Sequence, residues 1–160
     1  MIYWGAPLPQ DNHAERAVRC ALHMYNRLAE LQRKWNKEGI EPFDIGVGIN
    51  TGNVIVGNMG AEGKKMDYTV IGDAVNLAAR AESLTRKLAV PLIITEQTYL
   101  SVKDLLDIKP TGLTPSARGP KDRTGQNKIG RIMITPFKDV EVKGKKELVN
   151  LYGIAGISRG

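Results

Sequence analysis

Asp67-Tyr68-Thr69-Val70-Ile71-Gly72-Asp73-Ala74-Val75-Asn76-Leu77-Ala78-Ala79-Arg80 passes from a β-like run through a Gly-Asp break into a helical pattern. Asn76 and Arg80 stand one turn apart at the start of that helix, and residues four apart share a helix face. An amide and a guanidinium placed there can both address one oxygen-rich ligand. Gly72 permits a sharp strand-to-helix transition, Asp73 is expected as the N-cap, and helix N-termini favour anions. Singly, each residue has a plainer explanation. Asn76 can bond locally near Asp73, Arg80 can join a surface ion pair with Glu82 or Asp73, and Thr69 can be an ordinary strand threonine whose hydroxyl donates or accepts. Their succession in one stretch marks a candidate polyanion site.

Working upstream, residues 43–50 alternate Ile45, Val47 and Ile49 with Gly46 and Gly48, which gives a strand with one apolar face and one nearly bare face. The bare face fits either the close approach of a helix or strand, or room for a ligand or second subunit. Thr51-Gly52-Asn53 has turn chemistry, and Val54-Ile55-Val56 resumes as a strand, so a hairpin is expected. Residues 11–38 form the longest helical pattern, with Ala14, Ala17, Val18, Ala21, Leu22, Tyr25, Leu28, Leu31 and Trp35 on one stripe. Asn12 with Glu15 reads as a capping box, Asp11 is the rival cap, and Gly39 is a natural stop. Residues 1–10 read as the tail of a strand.

Downstream, residues 73–88 form the site helix, 91–95 a short strand and 96–104 a short helix. Residues 109–131, rich in Pro, Gly, Ser, Thr, Lys and Arg, read as a basic flexible surface loop. Residues 132–142 and 147–155 form a hairpin whose turn is Lys143-Gly144-Lys145-Lys146. Hairpin-paired strands with helices on one face make an α+β layered architecture rather than a doubly wound sheet.

At 160 residues the chain is expected to be one domain, 1–160. The formal charge of +6 admits an anionic ligand, although a solvated basic surface gives the same number. The basic clusters lack interleaved aromatics, and only 6% of residues are aromatic, so an RNA-binding domain ranks last. Cys20 is the only cysteine, expected as a buried small hydrophobe, and no Cys/His spacing reads as a zinc site. No apolar run is long enough to span a bilayer. Residues 60–65 have the wrong glycine spacing for a phosphate-binding loop of the Walker kind. His13 and His23 lie on the first helix and receive no catalytic role.

Gly5-Ala6-Pro7, HAERAVRCAL at 13–22, IGVGINTGNVIVGNMG at 45–60, DYTVIGDAVNLAARAESL at 67–84 and VKGKKE at 142–147 resemble, in order and spacing, the class III nucleotide cyclase catalytic domains. The bacterial adenylate cyclase branch is the likeness in view, and it covers nearly the whole chain apart from 109–131. The resemblance implies a ferredoxin-like layered sheet with helices packed on it, and a head-to-tail homodimer or higher oligomer with sites at the subunit interface. It implies conversion of ATP to 3′,5′-cyclic AMP and pyrophosphate for intracellular signalling, with Mg²⁺ or Mn²⁺ as two bound ions. By motif position Asn76 would hold the ribose and Arg80 would stabilise charge on the phosphate. Thr69, with Val70 beside it, would read the purine, and Lys143 or Lys145 would contact the terminal phosphates. A threonine at 69 resembles the adenine-reading form. The two metal-binding aspartates and the lysine that partners Thr69 would lie upstream of Met1. The chain as given is therefore expected to be N-terminally truncated, to have little or no activity alone, and to expose an unpaired sheet edge that favours oligomers. The domain is expected in the cytoplasm, with any membrane anchor upstream. The alternatives are a guanylate cyclase and a non-catalytic nucleotide-binding or dimerisation module on the same fold.

Overall fold

The computed structural model describes residues 1–60, 67–104, 133–145 and 147–155. The loop expected at 109–131 and Lys146 lie outside the described residues. The elements run in the order α1 (His13–Glu38), β1 (Val47–Ile49), β2 (Ile55–Met59), β3 (Asp67–Ile71), α2 (Asp73–Lys87), β4 (Leu92–Thr95), α3 (Glu96–Val102), β5 (Met133–Val140) and β6 (Val149–Ala155).

The stripe of α1 buries Ala14, Ala17, Val18, Ala21, Leu22, Tyr25 and Leu28, and Gly39 ends the helix at φ +72°. Past Leu28 the stripe leaves the core. Leu31 is exposed, and Trp35 packs its ring on Phe43 with centroids 5.2 Å apart. Asn12 occupies the N-cap position without a side-chain bond, and Glu15 is taken by Arg19 at 2.7 Å instead of closing a capping box. Cys20 is half-buried rather than buried, because the apolar hollow it shares with Met24, Leu28 and Phe43 opens to solvent.

The main sheet has the order β1-β4-β6-β5, and β2 and β3 form a separate two-stranded ladder. The hairpin expected between residues 43 and 56 is not formed. β1 pairs in parallel with β4, with Gly48 opposite Ile93, while β2 pairs antiparallel with β3. The end of β1 is drawn elsewhere. The Asn50 amide donates to the Ala74 carbonyl at 3.0 Å, and the Thr51 and Thr98 hydroxyls lie 3.0 Å apart, so the chain leaves the sheet toward α2 and α3. The expected C-terminal hairpin is formed by β5 and β6, with a bulge between Phe137 and Val140. There Asp139 has φ +54° and donates its backbone amide to the Asn150 side chain.

The helices lie on both faces of the sheet rather than on one. Leu92 and Ile94 pack with Val18, Leu22 and Tyr25 of α1, whereas Ile93, on the opposite face of β4, packs with Ala81 of α2. All four β4 residues are buried, and a strand buried on both faces needs a layer on each side. The bare face of β1 is the seat of α2. A Cβ on Gly48 would stand 2.3 Å from both the Ala78 carbonyl oxygen and the Glu82 nitrogen, and one on Gly46 would stand 2.3 Å from the Thr85 hydroxyl. The Tyr25 hydroxyl ties α1 to this end of the sheet by donating to the carbonyls of Ile45 and Pro91. Burial, reinforced by the Asp44 carboxylate, pushes the Tyr25 phenol up to about 12. Among the described residues no helix is long and apolar enough to cross a membrane.

Candidate active site

α2 begins one residue earlier than an N-cap at Asp73 would give. Gly72 is the cap residue at φ +149°, and Asp73 is the first helical residue. A glycine tolerates that backbone where a side chain would not, and it leaves the Asp73 carboxylate free to act outside the helix. Asp73, Asn76 and Arg80 then fall at i, i+3 and i+7, along one stripe of α2. Asn50 fixes the first turn: its amide holds the Ala74 carbonyl, and its own oxygen accepts from the Thr95 hydroxyl at 2.7 Å. Thr95 and Thr98 are buried, so this brace is anchored in the core.

The β5–β6 turn closes over the same stripe. The Lys145 ammonium is bonded to the Asp73 carboxylate. Gly144, at φ +76°, lies beneath the Arg80 guanidinium, and a Cβ there would stand 2.9 Å from Nη2. Arg80 is half-buried, and its Nη1 is fully buried with no hydrogen-bond acceptor among the described residues. A buried guanidinium nitrogen without a partner is costly, and ion pairs with Asp73 or Glu82 do not relieve it. The arrangement suits an acceptor supplied by an anionic ligand.

Asn76 is exposed, and no hydrogen bond holds its carboxamide among the described residues. Lys143 is exposed on the turn and has no ion pair among the described residues. Thr69 is half-buried on β3 opposite Gly57, and a Cβ on Gly57 would meet open space. Val70 faces the other way and is buried. The structure thus gathers Asp73, Arg80, Gly144 and Lys145 into one cluster with Asn76 on the same helix stripe. Thr69 stays on the separate ladder, where no hydrogen bond links it to that cluster. Asn50, Asp73 and Gly144 are the contributors that sequence reasoning missed in these roles. Asn50 had one signal, a polar residue closing an alternating apolar strand. Among the described residues no group of three or more His, Cys, Asp or Glu side chains could hold a metal ion. The carboxylate nearest the stripe is engaged by Lys145, so these residues do not themselves form a site for divalent ions.

Comparison with known proteins places these observations in a family. The family model described as the adenylate and guanylate cyclase catalytic domain matches residues 1–155. Adenylate cyclase 1 of Rhizobium meliloti (strain 1021) is 34% identical over 116 residues, which are 72% of this chain and 17% of that protein. The crystal structure of the adenylyl cyclase CyaB from P. aeruginosa superposes with a TM-score of 0.70 at 30% identity, covering 98% of this chain and 66% of that one. The guanylyl cyclase Cya2 superposes with a TM-score of 0.65, also at 30% identity, covering 97% of this chain and 64% of that one. The chain thus spans less than a fifth of the Rhizobium protein and about two thirds of each solved domain.

Proposed function

We propose that this chain, which belongs to the adenylate and guanylate cyclase catalytic domain family, serves an adenylate cyclase as the part that holds the triphosphate. In the proposed reaction the ribose 3′-oxygen of ATP bonds to the α-phosphorus, and the bond from that phosphorus to the bridging oxygen breaks. Pyrophosphate leaves, the 3′-hydroxyl proton is lost, and 3′,5′-cyclic AMP remains. The single observation that carries this reading is the buried Nη1 of Arg80, which has no hydrogen-bond partner among the described residues. It lies on the stripe that also carries the exposed amide of Asn76.

Each residue has a distinct role. Arg80 neutralises charge that develops on the α-phosphate, which a fixed guanidinium does without reorganising. Asn76 orients the ribose. Thr69 meets the purine with its hydroxyl, and Val70, whose side chain is buried, contributes only its main chain. Of Lys143 and Lys145, the turn lysines among the described residues, Lys143 is left to meet the terminal phosphates, because the Lys145 ammonium is already on Asp73. Divalent ions, general to such cyclases, would draw their ligands from the substrate phosphates and from carboxylates outside the described residues, and none of the roles above passes through them.

A homodimer fits two surfaces. Ile55 and Ile71 face each other across the β2–β3 ladder and are both exposed, and β1 is an edge of the main sheet. Exposed apolar faces and unpaired edges recruit a partner. An ATP-consuming signalling domain belongs in the cytoplasm. The choice of purine rests on Thr69, and it is tested by parallel assays of the full-length protein with ATP and GTP. Cyclic AMP as the main product supports the adenylate reading, and cyclic GMP formed from GTP in excess replaces it with the guanylate one.

A further inference from the structure

We propose that Asp73 and Lys145 are positioning residues, a latch that holds the β5–β6 turn over α2 and masks a carboxylate that would otherwise face the anionic substrate. The inference rests on the reading that phosphates lie along the Asn76–Arg80 stripe, and it deepens that reading.

The two residues are 72 positions apart in sequence, yet they bring the turn and the helix together. Asp73 lies on the same stripe as Asn76 and Arg80. Left bare at the start of α2, its charge would oppose the approach of a triphosphate. Lys145 cancels that charge and is itself drawn against the protein, with its side chain only 31% exposed. The turn is closed locally as well, since the Lys145 amide donates to the Val142 carbonyl at 2.9 Å. Between Lys143 and Lys145 lies Gly144, which packs against Arg80. Fixing Lys145 on Asp73 therefore fixes the floor on which the Arg80 guanidinium rests. An exposed ion pair shifts an equilibrium by about two- to five-fold, and here that shift acts on the orientation of Arg80 rather than on the fold as a whole. The same contact separates the roles of the two lysines: Lys145 acts through Asp73 and Gly144, and Lys143 is left to the ligand.

The test uses the full-length protein with ATP and Mg²⁺. Lys145→Met leaves Asp73 bare and frees the turn, so it is expected to lower kcat/KM about five-fold. Adding Asp73→Asn to Lys145→Met removes the bare charge and is expected to recover part of that loss. If Lys145 instead touched phosphate directly, the double variant would do no better than Lys145→Met, and that result overturns the latch. Hydrogen exchange provides the second readout, independent of turnover: the Lys145 amide is expected to exchange faster in Asp73→Asn than in wild type. An unchanged rate also overturns the latch. Wild-type protein that turned over neither ATP nor GTP would defeat the cyclase reading, while the exchange measurement would still decide the latch.

Discussion

Gly144 lies against the guanidinium of Arg80, so close that a methyl group at that position would stand 2.9 Å from Nη2 and 3.3 Å from Cζ. The backbone of a C-terminal hairpin thus shapes the seat of a side chain on a helix 64 residues earlier (144 minus 80). Arg80 is thus carried by α2 and seated against the hairpin turn.

Gly144→Ala should therefore damage turnover more than stability. The residue has φ +76°, and a side chain in that conformation costs about 1 kcal/mol. Displacing the guanidinium by part of an ångström is expected to lower kcat about ten-fold. Thermal unfolding and initial rates on the same preparation check both halves. A stability loss with unchanged kcat would show that the seat does not matter to Arg80.

Gly48 carries a different constraint. Its missing side chain admits the backbone of α2, with the Ala78 oxygen and Glu82 nitrogen each 2.3 Å from where a Cβ would stand. Backbone cannot swing aside as a flexible side chain can. Gly48→Ala should destabilise the domain by about 3 kcal/mol, the upper range for overpacking. A urea melt measures this, and a variant as stable as wild type would contradict the packing described.

Asn50 braces the site helix through Ala74 and Thr95, whereas Asn76 is exposed on that helix and makes no hydrogen bond among the described residues. Asn50→Ala should cost about 2 kcal/mol, since it removes bonds to partners in a half-buried environment. Asn76→Ala should leave the melting temperature nearly unchanged and act on turnover. Equal effects of the two substitutions on stability would contradict this division.

Tyr25 gives the fold an alkaline limit. Its ordinary pKa of 10.0 is raised to about 12 in the folded chain, chiefly by burial. Unfolding releases a phenol that ionises more readily, so the contribution is fully present below pH 10 and falls as pH rises from 10 toward 12. Two pKa units correspond to roughly 3 kcal/mol. Stability measured against pH should decline less steeply in Tyr25→Phe than in wild type over that window. Parallel curves would contradict the assignment.

Much of this was legible in the sequence where the signal was local. The α1 stripe follows from the spacing of Ala14 to Leu28, and the Gly46/Gly48 alternation announces a bare strand face. What fills that face is not local information, and the answer is α2. The pairing of β1 with β4 was missed because Thr51-Gly52-Asn53 has turn chemistry. The side chains of Asn50 and Thr51 decide the path by bonding to distant elements. The site divides in the same way. Asn76 and Arg80 announce themselves by their four-residue spacing, while the Lys145–Asp73 contact and the Gly144 seat arise only when the hairpin closes over the helix. The basic turn was visible, but which lysine it commits to the protein was not.

The central claim is that the buried guanidinium nitrogen of Arg80 is completed by the phosphate of a purine nucleotide. The most direct measurement is the initial rate of cyclic AMP formation from ATP by the full-length protein, wild type against Arg80→Ala, with a melting curve confirming that the variant is folded. Loss of one preorganised donor to developing charge is expected to lower kcat by about a hundred-fold or more, with the melting temperature held or raised as a nitrogen unpaired among the described residues disappears. A folded Arg80→Ala variant that forms cyclic AMP at the wild-type rate would contradict the account.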